Sequence, residues 1–259
     1  MSTDADIFGG EPSTYLVVGW FTPNYRPLAE RFAANLAEHG APFHLFARPK
    51  VASGWNTAQK PDVVLHAMGM YPDTTLVLMD LDCIVHGDIS PLAAVPGDVG
   101  ITVIARNIPG RVDRRWRVGE DRRWRHQIAV ECSSRVVVFR PTSGACGFVL
   151  NWRQQVVNSL VNHDEHSMVW AYLHSAGVSF SYIDARFSGR EVGQLPGAIV
   201  EHESEHNKLK ALTRGGIQGM LKAFERRYLR TGRTKARKQQ LQDAPVVLAP
   251  PGNRSSDAQ

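Results

Sequence analysis

Two aspartates, Asp80 and Asp82, directly follow an apolar segment within the sequence TTLVLMDLDCIVHGDISPL (residues 74–92). In an extended strand, residues i and i+2 point the same way, so the two carboxylates are expected to leave one side of the strand together. Mg²⁺ and Mn²⁺ prefer carboxylate oxygen and commonly bridge a protein carboxylate to a substrate phosphate. The pair therefore predicts a divalent-cation site, with two acids that merely cap a following turn as the alternative.

The segment before these acids predicts where they lie in the fold. Residues 76–79, Leu-Val-Leu-Met, form an unalternated hydrophobic run, which is typical of a strand covered on both faces in a parallel sheet. In open α/β sheets, ligands bind beyond the carboxyl ends of the strands. The acids are thus expected at the ligand-binding edge of a sheet and not in its core.

The rest of the chain predicts the elements that hold this strand. Strands are expected over residues 14–22 and 42–48, a helix over residues 26–38, and a second helix from Lys60, where the following proline suits a first helical turn. This β-α-β-α-β order predicts parallel strands with right-handed crossovers. Further strands are expected at residues 98–106, 133–142, 178–187 and 197–202, with helices over residues 143–163 and 166–177, the latter capped by Asp164.

Composition narrows the class of protein. A chain of 259 residues with 43% hydrophobic content suits one α/β domain with a tail. Three scattered cysteines without C-x-x-C spacing indicate neither a disulfide framework nor a structural zinc site, and so favour a reducing cytoplasm. No basic region followed by an apolar stretch opens the sequence, and no run of eighteen apolar residues occurs, so we expect neither a signal peptide nor a transmembrane segment.

Positive charge is concentrated in two segments. The formal net charge is +5, and residues 111–126 alternate arginines with two tryptophans, while residues 208–238 contain Glu225 as their one acid. Such clusters attract polyanions, either nucleic acid or an anionic membrane face. Arginine contacts phosphate and an indole stacks on a base or a sugar, so the first segment is a candidate ligand platform; the alternative is a solvated loop whose tryptophans fold back onto the domain.

The order of these segments resembles the GT-A family of nucleotide-sugar glycosyltransferases over roughly residues 14–210. The resemblance is carried by Lys60-Pro61, the Asp-x-Asp motif, the strand and helix in SSRVVVFRPTSGACGFVLNW, the helix DEHSMVWAYL and the late histidine in IVEHESEHNK. It implies a single GT-A-like, Rossmann-like α/β domain over residues 14–207, with a mostly parallel central sheet flanked by helices. Residues 1–13 would be a flexible N-terminus, residues 208–243 a basic helical extension and residues 244–259 a flexible tail.

The resemblance also implies roles for individual residues. Asp80 and Asp82 would hold Mn²⁺ or Mg²⁺, and His202 would complete the metal site, with His206 as the alternative ligand. The residues implied to contact the donor are Phe21, Thr22, Tyr25, Lys60, Asp80 and Ser133. Asp164 would face the sugar and the acceptor, and Asp164 or Glu165 could serve as the general base. Nothing in the chain matches a known acceptor-binding pattern of the family. The candidate acceptor platform is therefore taken from the first basic segment itself, and its residues are Arg115, Trp116, Arg123 and Trp124.

The implied activity is metal-dependent transfer of a sugar from a nucleotide-diphosphate sugar, with a UDP-sugar as the expected donor, to a hydroxyl acceptor. The acceptor would be either a modified base in DNA or a bacterial glycan or lipid-linked saccharide, with the basic extension resting on anionic membrane in the second case. Two departures from the family pattern stand out: Ser133-Ser134 replaces a Ser-Gly pair, and Asp164-Glu165 replaces an Asp-Gln pair. Inversion and retention, the donor sugar and the oligomeric state all stay open.

Two other functions are alternatives to the glycosyltransferase hypothesis. A non-catalytic nucleic-acid-binding protein would use the two basic segments alone. A phosphatase of the haloacid-dehalogenase type is suggested by the D-L-D-C-I sequence, but Ile84 stands where that family has Thr or Val, and the motif follows two earlier strands.

Overall fold

The computed structural model of the protein describes residues 5–50, 56–109, 126–158 and 164–203. The strands are β1 (Ile7–Gly9), β2 (Tyr15–Phe21), β3 (Phe43–Ala47), β4 (Thr75–Met79), β5 (Cys83–Val85), β6 (Val99–Pro109), β7 (His126–Phe139), β8 (Phe180–Tyr182), β9 (Arg190–Glu191) and β10 (Val200–His202). The α-helices are α1 (Arg26–Glu38), α2 (Lys60–Met70), α3 (Ser143–Asn158) and α4 (Asp164–His174). Short 3-10 helices occur at Pro23–Tyr25, Asn56–Gln59, Ser90–Ala94 and Ala185–Phe187.

A seven-stranded sheet in the order β1-β3-β2-β4-β7-β6-β8 forms the centre of the fold. Strands β3, β2 and β4 are parallel neighbours, as the β-α-β-α-β order predicts. Strand β7 is antiparallel to both β4 and β6, and β8 is parallel to β6, so five of the seven strands run one way. The predicted α/β architecture with a mainly parallel sheet flanked by helices is therefore confirmed.

Both faces of this sheet are covered by helices. In β4, Leu76 and Leu78 belong to the hydrophobic cluster that α2, α3 and α4 cover, whereas Val77 and Met79 belong to the cluster that α1 covers. All five residues of β4 are buried. The unalternated hydrophobic run thus has the expected cause, since each side of the strand packs against a helical layer.

Strand β1 falls within residues 1–13, the segment expected to be a flexible N-terminus. It pairs antiparallel with β3, and its attachment is reinforced by Asp6, whose carboxylate accepts from the backbone of Ala47 at 2.7 Å and contacts His44 Nε2 at 2.9 Å. The other imidazole nitrogen of His44 lies 2.7 Å from the Tyr71 hydroxyl. A three-residue strand carries too little periodicity to be recognised in a sequence, and its partners lie far along the chain.

Asp98 ties the start of β6 to the start of α3 and to the segment before β8. Its carboxylate accepts hydrogen bonds from the Thr142 hydroxyl at 2.7 Å and from the backbone amide and hydroxyl of Ser179 at 2.8 and 2.7 Å. Thr142 in turn caps α3, because its hydroxyl oxygen accepts from the backbone amide of Ala145. This junction fixes the helix that covers the sheet beside β7.

A second, three-stranded sheet in the order β5-β10-β9 is added beside the large one. Strand β5 begins one residue after Asp82, and β10 pairs with it antiparallel so that His202 lies opposite Cys83. The amide side chain of Asn35 in α1 binds β5 at Val85 in both directions, donating to its carbonyl at 3.0 Å and accepting from its amide at 2.8 Å. The small sheet is thereby held next to the carboxyl end of β4.

Candidate metal and donor site

Asp80 and Asp82 lie on a tight turn between β4 and β5. The backbone amide of Cys83 donates to the carbonyl of Asp80 at 3.0 Å, which closes the turn around Leu81 and Asp82. The amide of Asp80 donates to the carbonyl of Arg135 in β7. The two carboxylates lie at the expected edge of the sheet, but the explanation from strand geometry is wrong. They converge because the chain turns after β4, not because they share one side of an extended strand.

His202 reaches these acids from the end of β10. Its Nε2 lies 3.0 Å from Asp82 Oδ1, and the next backbone amide, that of Glu203, donates to the carbonyl of Asp82 at 2.7 Å. One ligand atom from each of Asp80, Asp82 and His202 can be chosen so that all three lie within 4.8 Å of one another. The structure brings together the three residues expected to be metal ligands, while His206 lies outside the described residues.

This trio suits a divalent cation of the Mn²⁺ or Mg²⁺ class. Two carboxylates and an imidazole match Mn²⁺, and imidazole is the less usual ligand for Mg²⁺. Ligands at about 2.1 Å from an octahedral ion lie roughly 3 Å from their neighbours, and Asp82 Oδ1 and His202 Nε2 already have a separation of 3.0 Å. The Asp80 and Asp82 side chains are 24% and 26% exposed, so the cluster is open to a ligand on one side.

The electrostatic surroundings keep Asp82 ionised. Burial acts to raise the pKa of the Asp82 carboxyl, but the hydrogen bond and charge of His202, a backbone hydrogen bond and the charge of Lys60 together lower it below the ordinary value of 3.8. The neighbouring Cys83 behaves in the opposite way, because burial first, and then the two aspartates, raise the pKa of its thiol well above the ordinary value. Cys83 is thus a neutral packing residue and not a thiolate ligand.

Lys60, the first residue of α2, reaches the same cluster from the other face of the sheet edge. Its Nζ lies 2.7 Å from Asp80 Oδ1, 3.0 Å from the Ser134 hydroxyl and 3.3 Å from the Ser134 carbonyl. The Lys60 side chain is only 4% exposed, although lysine side chains are usually solvated. The site therefore contains a built-in positive charge beside its two carboxylates.

The other predicted donor residues lie at the carboxyl end of β2 or in β7. Thr22 is fully buried and its hydroxyl donates to Asn24 Oδ1 at 2.9 Å, while Tyr25 is exposed on the turn that follows. The Phe21 side chain lies inside the core on the α1 face. Ser133 is buried, and its hydroxyl accepts from the backbone amide of Arg135 at 3.4 Å. Their contacts with a donor stay predictions.

The predicted acceptor-side residues are only partly covered by the structure. Helix α4 begins at Asp164, and the buried Ser167 one turn later binds Trp152 of α3, which places the start of α4 against the helical layer beside β7. The side chains of Asp164 and Glu165 are outside the described residues, as are the platform residues Arg115, Trp116, Arg123 and Trp124.

Within the described residues, no helix is long and apolar enough to cross a membrane.

Sequence reasoning missed two supports of this site, Ser134 and Asn35. Ser134 appears in the sequence only as a departure from a Ser-Gly pair, and the structure places both of its oxygens on the Lys60 ammonium. It lies where the pairing of β6 and β7 shifts register, between Gly100 opposite Val138 and Thr102 opposite Ser133. Such irregularities re-aim side chains, and a single sequence carries no signal for them.

No protein-family profile and no curated protein matches the chain. Among solved structures, a glycosyltransferase involved in the glycosylation of the major capsid of PBCV-1 is similar, with a TM-score of 0.46 and 12% identity over 74% of this chain and 95% of that one. A galactosyltransferase, LgtC, solved with donor and acceptor sugar analogs, has a TM-score of 0.41 and 10% identity over 73% of this chain and 87% of its own.

The glycosyltransferase GlyE of Streptococcus pneumoniae TIGR4 has a TM-score of 0.39 and 12% identity over 67% of this chain. The match covers 46% of the GlyE chain, so the protein spans about half the length of that structure. Each of these three structures is described as a glycosyltransferase. Because the identities and TM-scores are low, a function for this chain has to be argued from its own site.

Proposed function

We propose that the protein is a divalent-metal-dependent glycosyltransferase that takes a sugar from a nucleotide-diphosphate sugar, with a UDP-sugar as the expected donor. The observation that carries the proposal is the convergence of Asp80, Asp82 and His202 within 4.8 Å at the carboxyl end of β4. Ligands of open α/β sheets bind at this edge. An acidic cluster open to solvent on one side, with a buried lysine beside it, suits a cation together with a diphosphate.

Asp80, Asp82 and His202 would hold Mn²⁺ or Mg²⁺, and His202 would bind it through the neutral imidazole. When bound, the ion supplies positive charge that offsets the negative charge growing on the departing nucleoside diphosphate. Lys60 adds a second positive charge at the same place, fixed by Asp80 and Ser134 before any ligand arrives. A charge that is already oriented needs no reorganisation as the glycosidic bond breaks.

The rest of the proposed donor site follows from the position of β2. Thr22 and Tyr25 follow this strand at the same edge of the sheet, where a nucleoside would lie beside them, and Phe21 would border it through the backbone. Ser133 would lie near the donor from β7. Asp164 or Glu165, at the start of α4, would serve as the general base toward an acceptor hydroxyl if the sugar is transferred with inversion.

The acceptor is proposed from the sequence alone. The two basic segments favour an anionic partner, either modified DNA or a saccharide presented at an anionic membrane surface. A nucleotide-sugar panel with Mn²⁺, assayed for released nucleoside diphosphate with hydroxymethylated DNA, with a lipid-linked saccharide and with neither, separates the two. Release that rises only with DNA would identify the DNA acceptor, and release that rises only with the saccharide would identify the other.

Metal dependence is tested by His202→Gln with His86→Gln as its matched control. Both histidines place Nε2 about 3 Å from a carboxylate across the small sheet, 3.0 Å from Asp82 for His202 and 2.9 Å from Glu201 for His86, but only His202 lies at the acidic cluster. Loss of a metal ligand is expected to lower Mn²⁺-dependent donor turnover by roughly 100-fold or more. His86→Gln is expected to leave it unchanged. Undiminished turnover in a chelator, or equal losses in both variants, would contradict the proposal.

A further inference from the structure

The Lys60 ammonium is held in a place that disfavours a positive charge. It opens helix α2, where the helix dipole repels cations, and its side chain is 4% exposed. Three oxygens compensate, those of the Asp80 carboxylate at 2.7 Å and of the Ser134 hydroxyl and carbonyl at 3.0 and 3.3 Å. A buried lysine with such surroundings is a fixed feature of the site rather than a solvated surface charge.

The charges of the site determine what it attracts. Asp80 and Asp82 contribute two negative charges and Lys60 one positive charge, so these three side chains together carry about one net negative charge. A divalent cation alone would reverse this sign and would lie close to the Lys60 ammonium. A diphosphate that binds together with the cation would offset this positive charge, because its oxygens interact with both the cation and the Lys60 ammonium.

We propose that Lys60, held in place by Ser134, acts as an internal counter-charge, that is, a positive charge built into the site beside its carboxylates. This charge makes binding of the cation depend on the diphosphate. It weakens binding of the metal ion alone by competing for Asp80, and it strengthens binding of the metal and diphosphate together. Ser134 acts as a positioning residue, because its two oxygens hold the ammonium beside Asp80 and keep it from swinging away. This inference rests on the proposed function and extends it to the order in which the ligands assemble.

The experiment measures protein-bound Mn²⁺ by equilibrium dialysis with and without saturating UDP on both sides of the membrane, so that Mn²⁺ held by UDP in solution is the same on both sides and cancels. In the wild-type protein, UDP is expected to tighten Mn²⁺ binding at least tenfold, and by linkage Mn²⁺ tightens UDP binding by the same factor. Lys60→Met is expected to bind Mn²⁺ alone at least threefold more tightly than wild type and to lose most of the UDP effect. Lys60→Arg keeps the charge and is expected to retain the coupling.

Ser134→Ala provides an independent test, because it leaves the lysine and the Ser134 carbonyl in place and removes one of the three oxygens. It is expected to change both affinities in the same direction as Lys60→Met, but by a smaller factor. Circular dichroism verifies that each variant is folded, and if Lys60→Met does not fold, the Ser134→Ala measurement decides. Equal Mn²⁺ affinity and equal UDP coupling in wild type and the folded variants would overturn the counter-charge role alone. Failure of the wild-type protein to bind Mn²⁺ even with UDP would overturn the proposed function itself.

Discussion

Replacing Asp80 by asparagine is expected to destabilise the fold, whereas Asp82→Asn is expected to remove a cation ligand at little cost in stability. Asp80 is the counter-charge of Lys60, whose side chain is 4% exposed, so water has little access to the ammonium once the carboxylate is gone. Removing one partner of a buried ion pair costs about 3–5 kcal/mol. Because Asp80 itself is 24% exposed and the Ser134 oxygens remain, we expect a loss of about 2–3 kcal/mol.

Asp82 has a different partner. It pairs with His202, whose imidazole, unlike the Lys60 ammonium, leaves no permanent buried charge when the carboxylate is removed. We therefore expect Asp82→Asn to change the free energy of unfolding by no more than about 1 kcal/mol. The Asp80→Asn and Asp82→Asn variants should thus differ in their free energies of unfolding, although each loses a ligand of the cation.

Denaturant and thermal unfolding in chelator measure this difference without any contribution from bound metal. A loss of about 2–3 kcal/mol corresponds to a melting temperature lower by roughly 4–12 °C for a domain of this size. The double variant Lys60→Met/Asp80→Asn also removes the buried ammonium that Asp80→Asn leaves without its carboxylate, so it should recover most of the lost stability. Equal destabilisation by Asp80→Asn and Asp82→Asn, or a double variant as unstable as Asp80→Asn alone, would refute the reasoning.

Three further predictions concern the layer that supports the site. Trp152 is fully buried and donates to the Ser167 hydroxyl at 3.1 Å, so by unfolding measurements Trp152→Ala should cost about 3–5 kcal/mol and Ser167→Ala about 1 kcal/mol. A Cβ at Gly144 would lie 2.6 Å from the Asp98 carboxylate, so Gly144→Ala should lower the melting temperature, whereas Gly147→Ala in the same helix has open space and should raise it. Hydrogen bonds from Thr142 and Ser179 lower the pKa of the Asp98 carboxyl from its ordinary value of 3.8, so its contribution is present above that value and is lost as pH falls below it. The stability difference between wild type and Asp98→Asn, measured by denaturant unfolding, should therefore shrink between pH 5 and pH 3, and a constant difference would contradict this assignment.

Features with a strong local signal could be predicted from the sequence. Helix α1 spans residues 26–38 as expected, because a proline opens it and Gly40, at φ +64°, ends it with a conformation that glycine adopts easily. Helix α2 begins at Lys60 for the same local reason, a proline in its first turn. Strand β4 is also where the hydrophobic run places it.

Features that depend on remote pairing could not be derived from local pattern. His202 is brought to Asp82 by β10, a three-residue strand whose partner β5 lies far back in the chain. Only the resemblance to a family points to this histidine, with His206 as the alternative ligand. Lys60 is buried because β7 presents Ser134 to it at a shift in strand register, and nothing near Lys60 in the sequence indicates that contact.

The signs of charge also separate the proposed enzyme from a protein that only binds polyanions. The described edge around the Asp80–Asp82 turn is acidic, with two carboxylates beside the Lys60 ammonium, whereas the basic segments occupy residues 111–126 and 208–238 of the sequence. A diphosphate can approach the acidic edge only with a cation, while a polyanion bound by arginine and lysine needs none.

Asp82→Asn should therefore abolish Mn²⁺-dependent UDP binding, measured by calorimetry, and leave any salt-sensitive binding of DNA unchanged. A chain that binds DNA tightly and binds UDP neither with nor without Mn²⁺ would be a nucleic-acid-binding protein, with its acidic turn serving only to join β4 to β5. Loss of DNA binding in Asp82→Asn would instead mean that the acidic turn and the basic segments hold the same ligand. In that case the separation of donor and acceptor surfaces argued from charge would be wrong.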